Sequence, residues 1–110
     1  MTDAVTETEV IARVTRLTRL RLVAFIEAEV VVPQPSPGGP MFRPLDIARL
    51  ELLCDLADDF ALEGDALGLV MALIDDLHAA HQRLSEVARA LADEDDEVRR
   101  RIGARIIAAL

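Results

Sequence analysis

Residues 30–43 read VVVPQPSPGGPMFR, and the fold turns on how this stretch is read. Val30-Val31-Val32 is a β-branched run suited to an extended chain, and Pro33 stops it because proline has no N–H to give to a ladder. From Gln34 to Pro40 every residue except Gln34 and Ser36 is proline or glycine, which no regular hydrogen-bonded element accommodates. Met41-Phe42-Arg43 then supplies a second short extended run. Two short strands about a Pro/Gly tip make a small β-hairpin, a wing; the plainer reading is a loop. In both directions away from this stretch the apolar residues fall at helical spacing, so the chain is read as mainly α.

Upstream, residues 7–14 have the pattern of a short helix, with Val10, Ile11 and Val14 on its apolar face. Thr6 or Thr8 can cap it, and Thr6 has Glu9 three residues on, the spacing of a capping box. Arg16-Leu17-Thr18 is a break, with Thr18 as the cap of a second helix from about Arg19 to Glu29. That helix is expected to bury Leu20, Ala24 and Phe25 and to turn Arg19 and Arg21 outward. Helix, short turn and helix make a helix-turn-helix arrangement, here without the glycine often found in the turn.

Downstream, Leu45 to Phe60 is helical again, with Leu45, Ala48 or Arg49, Leu52 or Leu53, Leu56 and Phe60 on or near the apolar face and Asp46 favouring the dipole in the first turn. Asp55, Asp58, Asp59 and Glu63 crowd its far end, where carboxylates oppose both the dipole and one another. Such a group either serves a basic partner or is a solvated face. After the break at Ala61-Leu62-Glu63-Gly64 the longest element runs from Asp65 to about Leu91. Leu67, Ile74, His81 and Ala88 occupy one heptad core position, and Val70, Leu77, Leu84 and Leu91 the other. The stripe narrows beyond Asp76, so Ile74, Leu77, His81, Leu84, Ala88 and Leu91 are expected to form the seam of a homodimer. An acidic run, Asp93 to Glu97, ends or kinks that helix, and Val98 to Leu110 forms a last one beside Arg99, Arg100 and Arg101. The resulting division is a core over 1–62, a long amphipathic helix over 63–92, and an acidic linker with a C-terminal helix over 93–110.

With 110 residues there is room for one domain and a short appendage. The chain is 52% hydrophobic but only 3% aromatic, so the core is filled by Leu, Val, Ile and Ala, and a second copy would add burial. No apolar run reaches the roughly 18 residues of a membrane span, and the acidic, polar start lacks the basic and apolar regions of a secretory signal. The single cysteine, Cys54, excludes an intramolecular disulfide and lies in an apolar pattern, so it is expected to be buried. A cytoplasmic location follows as the expectation.

The formal charge is −8, and all 12 basic residues are arginine. Such a chain repels a phosphate backbone. Between Arg13 and Arg49, however, six arginines face only Glu27, Glu29 and Asp46, so a basic face on an acidic protein stays open. The sequence holds no glycine-rich phosphate loop, no HExxH and no cysteine pair at metal spacing. Asp75, His78 and His81 stand three apart, but a helix face or seam accounts for them. Asp75 and Asp76 are adjacent and point to different sides, and neither Ser36 nor Ser85 has an evident triad. No enzyme, cofactor or metal is expected.

A short helix, a turn, a second helix, a wing, a third helix and then a coiled-coil-like helix together resemble the MerR-like winged-helix group. Typical MerR regulators carry Thr-Leu-Arg-Tyr-Tyr-Glu in the second helix and Tyr-Arg after the wing. Here those stretches read Arg21-Leu22-Val23-Ala24-Phe25-Ile26-Glu27 and Met41-Phe42-Arg43. The second keeps the pattern with Phe for Tyr; the first keeps the glutamate and part of the apolar frame. Residues 7–91 are more similar to the chaperone modulator CbpM family, small MerR-like proteins. The pieces that carry this are Ala48-Arg49-Leu50, Leu62-Glu63, Ala72-Leu73-Ile74-Asp75-Asp76-Leu77 and His81-Gln82-Arg83-Leu84, with residues 27–32 before Pro33, where Glu29 replaces a common glycine.

The resemblance implies a MerR-like winged helix-turn-helix with a short β-hairpin wing and a long coiled-coil-like helix. It implies binding to the J-domain of a CbpA-like, DnaJ-type co-chaperone and inhibition of its cooperation with Hsp70. J-domains carry a basic helical face, and an acidic protein can cover it. From charge, the expected contact residues are Asp55, Asp58, Asp59 and Glu63, with Asp75 and Asp76 as a second group. The alternative is a MerR-like DNA-binding regulator using Arg13, Arg16, Arg19, Arg21 and Arg43, which the net charge disfavours.

Overall fold

Most of the helices start where a polar side chain can take one of the free N–H groups of the first turn. In a computed structural model describing residues 3–110, Thr6 caps α1 (Glu7–Arg13) in a complete capping box with Glu9, and Thr18 caps α2 (Arg19–Glu27) by accepting from the Arg21 N–H. Asp95 does the same for α5 (Asp96–Ala109), accepting from the Val98 N–H at 3.0 Å. Pro44 opens α3 (Pro44–Asp59), where its missing N–H costs nothing, and Asp46 accepts from the Arg43 N–H at 2.9 Å. The longest helix, α4, spans Gly64–Ala92. The fold is mainly helical with one small antiparallel sheet of β1 (Val5–Thr6) and β2 (Met41–Phe42). Among the described residues no helix is long and apolar enough to cross a membrane.

The chain divides into two compact units, the first ending at Ala72 and the second comprising Leu73–Leu110. The break falls inside α4. All of the buried apolar side chains belong to the first unit, among them Val10, Val14, Leu17, Leu22, Phe25, Val31, Phe42, Leu50, Leu53, Leu67 and Met71. Cys54 is buried with them, as the apolar pattern around it predicts. In the second unit no described residue is buried.

Two elements differ from the sequence reading. The Val30-Val31-Val32 run is not a strand. α2 ends in a Schellman turn, in which the Val30 N–H donates to the Phe25 carbonyl at 3.1 Å and the Glu29 N–H to that of Ile26 at 3.0 Å. Arg49 donates through its Nε to the Val30 carbonyl. The Val30 backbone polar groups are thereby satisfied without a ladder, and Val30 and Val31 enter the core as loop residues. β2 instead pairs with the N-terminal β1, Val5 opposite Phe42 and Thr6 opposite Met41. Only Gln34 bridges Met41 from the hairpin side, at 2.9 and 2.8 Å, and the tip closes with the Gly39 N–H on the Ser36 carbonyl at 3.0 Å.

Phe25 of α2 and Leu53 of α3 are buried as expected, but the rest of each buried face differs from expectation. α2 buries Leu22 and Phe25, and Leu20 lies 84% exposed with Ala24 open to solvent. α3 buries Asp46, Leu50, Leu53 and Cys54, leaving Leu45 and Phe60 exposed at its ends. α2 is apolar at 20 and from 22 to 26, nearly all round, so spacing alone has no unique stripe to select.

Candidate protein-binding site

The carboxylates at the end of α3 and the arginines around the α1–α2 turn, which serve opposed functions in the sequence reading, meet in one ionic network. Arg21 forks onto Asp58, its Nη2 donating to Oδ1 at 2.7 Å and its Nη1 to Oδ2 at 3.3 Å, while Nη1 also donates to the Arg16 carbonyl at 3.1 Å. It thus ties the α1–α2 turn to α3. Arg16 places its Nη1 3.1 Å from Asp59, 3.5 Å from Asp55 and 3.7 Å from Asp58. The Arg21 hydrogen bonds, then the Arg21 and Arg16 charges, hold the Asp58 carboxyl below its ordinary range. Because Arg16 and its three partners are all well solvated, this network shapes the surface charge more than it stabilises the fold.

The other arginines of the basic face are engaged as well. Arg19 pairs with Glu7. Arg43 donates through Nε and Nη2 to Asp46 at 2.9 and 3.1 Å. Burial pushes the Asp46 carboxyl up, but the side-chain and backbone bonds from Arg43 and the charges of Arg43 and Arg49 outweigh it, leaving the group below its ordinary range. Arg13 has no ion pair among the described residues. Of the five arginines proposed for DNA, four are therefore neutralised by carboxylates of the same chain.

Beside the network lies a half-open cavity of about 440 Å³ within the first unit. Ala24 and Phe25 of α2, Ala57 of α3, Leu67 of α4, and Ala28, Val30, Ala61 and Leu62 outside the helices form its apolar walls, with Arg21 and Glu63 as its polar members. The alanines make it: larger side chains at 24, 28, 57 and 61 would fill it. Ala61 stands in the left-handed region, φ 53°, and lets the Leu62 N–H reach back to the Leu56 carbonyl at 3.3 Å. That turn carries Glu63 to the wall of the cavity, exposed and without an ion pair among the described residues. No signal in the sequence marks this cavity, because it is defined by small residues from α2, α3 and the turns that follow them.

Asp75 and Asp76 lie on α4 in the second unit, both exposed. Leu77, His81, Leu84 and Ala88 of the expected seam are also exposed there, while Ile74 and Leu91 are half-buried. Among the described residues no group of three or more His, Cys, Asp or Glu is placed to hold a metal ion, and Asp75, His78 and His81 form no such set. The buried Cys54 thiol is pushed up by desolvation, which suppresses the thiolate a nucleophile needs. The chain matches no protein-family model, no curated protein and no solved structure.

Proposed function

We propose that this chain is a cytoplasmic chaperone modulator that binds the J-domain of a CbpA-like co-chaperone and keeps it from cooperating with Hsp70. The observation that carries this reading is the acidic end of α3, with Asp55, Asp58, Asp59 and Glu63 beside an open apolar cavity. Carboxylates steer a basic face to the surface and the cavity supplies burial once it arrives. In this reading α1 and α2 are the helix-turn-helix of a MerR-like winged fold, and residues 34–41 are its wing. A lone buried thiol suits a reducing compartment. Two copies pair through α4, covering Leu77 and Leu84, which are 65% and 67% exposed in the single chain.

The alternative, a MerR-like DNA-binding regulator, has one supporting observation, the unpaired Arg13. Phosphate contact through Arg16, Arg19, Arg21 or Arg43 would first require breaking an existing ion pair, and a basic partner would likewise meet Asp55, Asp58 and Asp59 already paired, so it is the net charge of −8 that favours a basic protein partner over DNA. Calorimetric titration of the chain with the J-domain of a CbpA-like protein tests the proposal. Micromolar or tighter binding at physiological salt is expected. No heat and no co-elution, with a gel shift of genomic fragments at low salt, would replace it with the DNA reading.

A further inference from the structure

We infer that the cavity between α2, α3 and the start of α4 is the socket for one apolar side chain on a basic helix of the protein partner. This rests on the J-domain reading and names how that site takes hold of its ligand. The walls offered by Ala24, Phe25, Ala57 and Leu67 are apolar, and the volume, about 440 Å³, fits a leucine, methionine or phenylalanine side chain with room for the backbone turn that bears it. Charge selects what flanks that side chain. α2 and α3 both end at this cavity and bring the negative ends of their dipoles, while only α4 begins there. Glu63 adds an unpaired carboxylate, and Arg21 is already occupied by Asp58. The rim thus favours cations and has, among the described residues, no free cation with which to hold an anion. A helix carrying arginine or lysine one turn either side of an apolar residue meets both demands: the apolar residue enters, and the cations rest on Glu63 and on the outer carboxylates of α3.

The contributions of socket and rim separate in binding kinetics. Ala24 is solvent-exposed in the middle of α2, so Ala24→Leu keeps the helix and fills the cavity. With the full chain and the J-domain, Ala24→Leu is expected to weaken binding at least tenfold through faster dissociation, with an unchanged salt dependence. Glu63→Gln is expected to slow association and lower the salt dependence. Thermal unfolding of each variant verifies the fold, and methyl chemical shifts of Ala24, Ala57 and Leu67 in the unsubstituted chain report the same contact without any substitution. Wild-type binding with unmoved methyl shifts, or an Ala24→Leu variant that binds as wild type, overturns the socket while leaving the modulator reading in place. A wild-type chain that does not bind the J-domain removes both.

Discussion

Glu29 holds a backbone conformation, φ 60°, that glycine holds at lower cost because a Cβ crowds the carbonyl there. The position is fixed by the Schellman turn that closes α2, with Phe25 and Val30 buried on either side of it. Replacing Glu29 by Gly should raise stability by about 0.5–1 kcal/mol after the greater chain entropy of glycine is counted. A lower thermal midpoint would show that the glutamate side chain has a role the backbone does not reveal. Asp46 carries the opposite lesson. Its carboxyl is buried, and its folded pKa lies below the ordinary 3.8, so its stabilisation is present above that value and lost as pH falls through the folded pKa. The chain should therefore lose thermal stability below about pH 4, with Asp58, shifted the same way, contributing to the fall. Asp46→Ala should cost about 1–2 kcal/mol at neutral pH by removing the acceptor at the start of α3, and should flatten this acid limb in a pH series of melting curves.

At the scale of elements, polar residues at helix ends are readable in sequence because their work is local. Thr6 with Glu9, Thr18 and the acidic run before α5 each mark a boundary within a residue or two of the helix found there. The paired edge of β2 is not readable in this way: whether Met41–Phe42 meets Val30–Val32 or Val5–Thr6 is decided by how the α2 turn satisfies the backbone of Val30, which is a tertiary matter. The candidate site divides likewise. Asp55, Asp58 and Asp59 announce themselves by their spacing on one helix, but their ion pairs with Arg16 and Arg21 span about forty residues and depend on the packing of α2 on the core. The heptad stripe of α4 is periodic enough to read, and its proposed role as a dimer seam can be tested. Replacing both Leu77 and Leu84 by Glu puts charges into it and should halve the sedimentation mass, with helix content nearly unchanged. A wild-type chain that already sediments as one copy would dismiss the seam.

For the molecule as a whole, the arginine–aspartate network leaves a net acidic surface from charges that could have opposed one another as separate patches. Asp58→Asn together with Asp59→Asn removes two of the negative charges and releases Arg21 and Arg16 from their closest partners. Association with a basic J-domain should slow and its salt dependence flatten. Retention on heparin or duplex DNA should increase at low salt, because the released guanidinium groups are then free to meet phosphate. If binding and its salt dependence stay the same, these carboxylates lie outside the contact. The second unit has a further consequence. The part of α4 from Leu73 on, and α5, bury no side chain; such helical stretches gain little from tertiary packing and open easily, so their amides exchange early and their backbone is available for cleavage. A partner seated on α4 or α5 would protect them, and a copy left without one would be the first degraded. The lifetime of the chain, and with it the amount held in the cell, would then be set by how much partner there is to occupy.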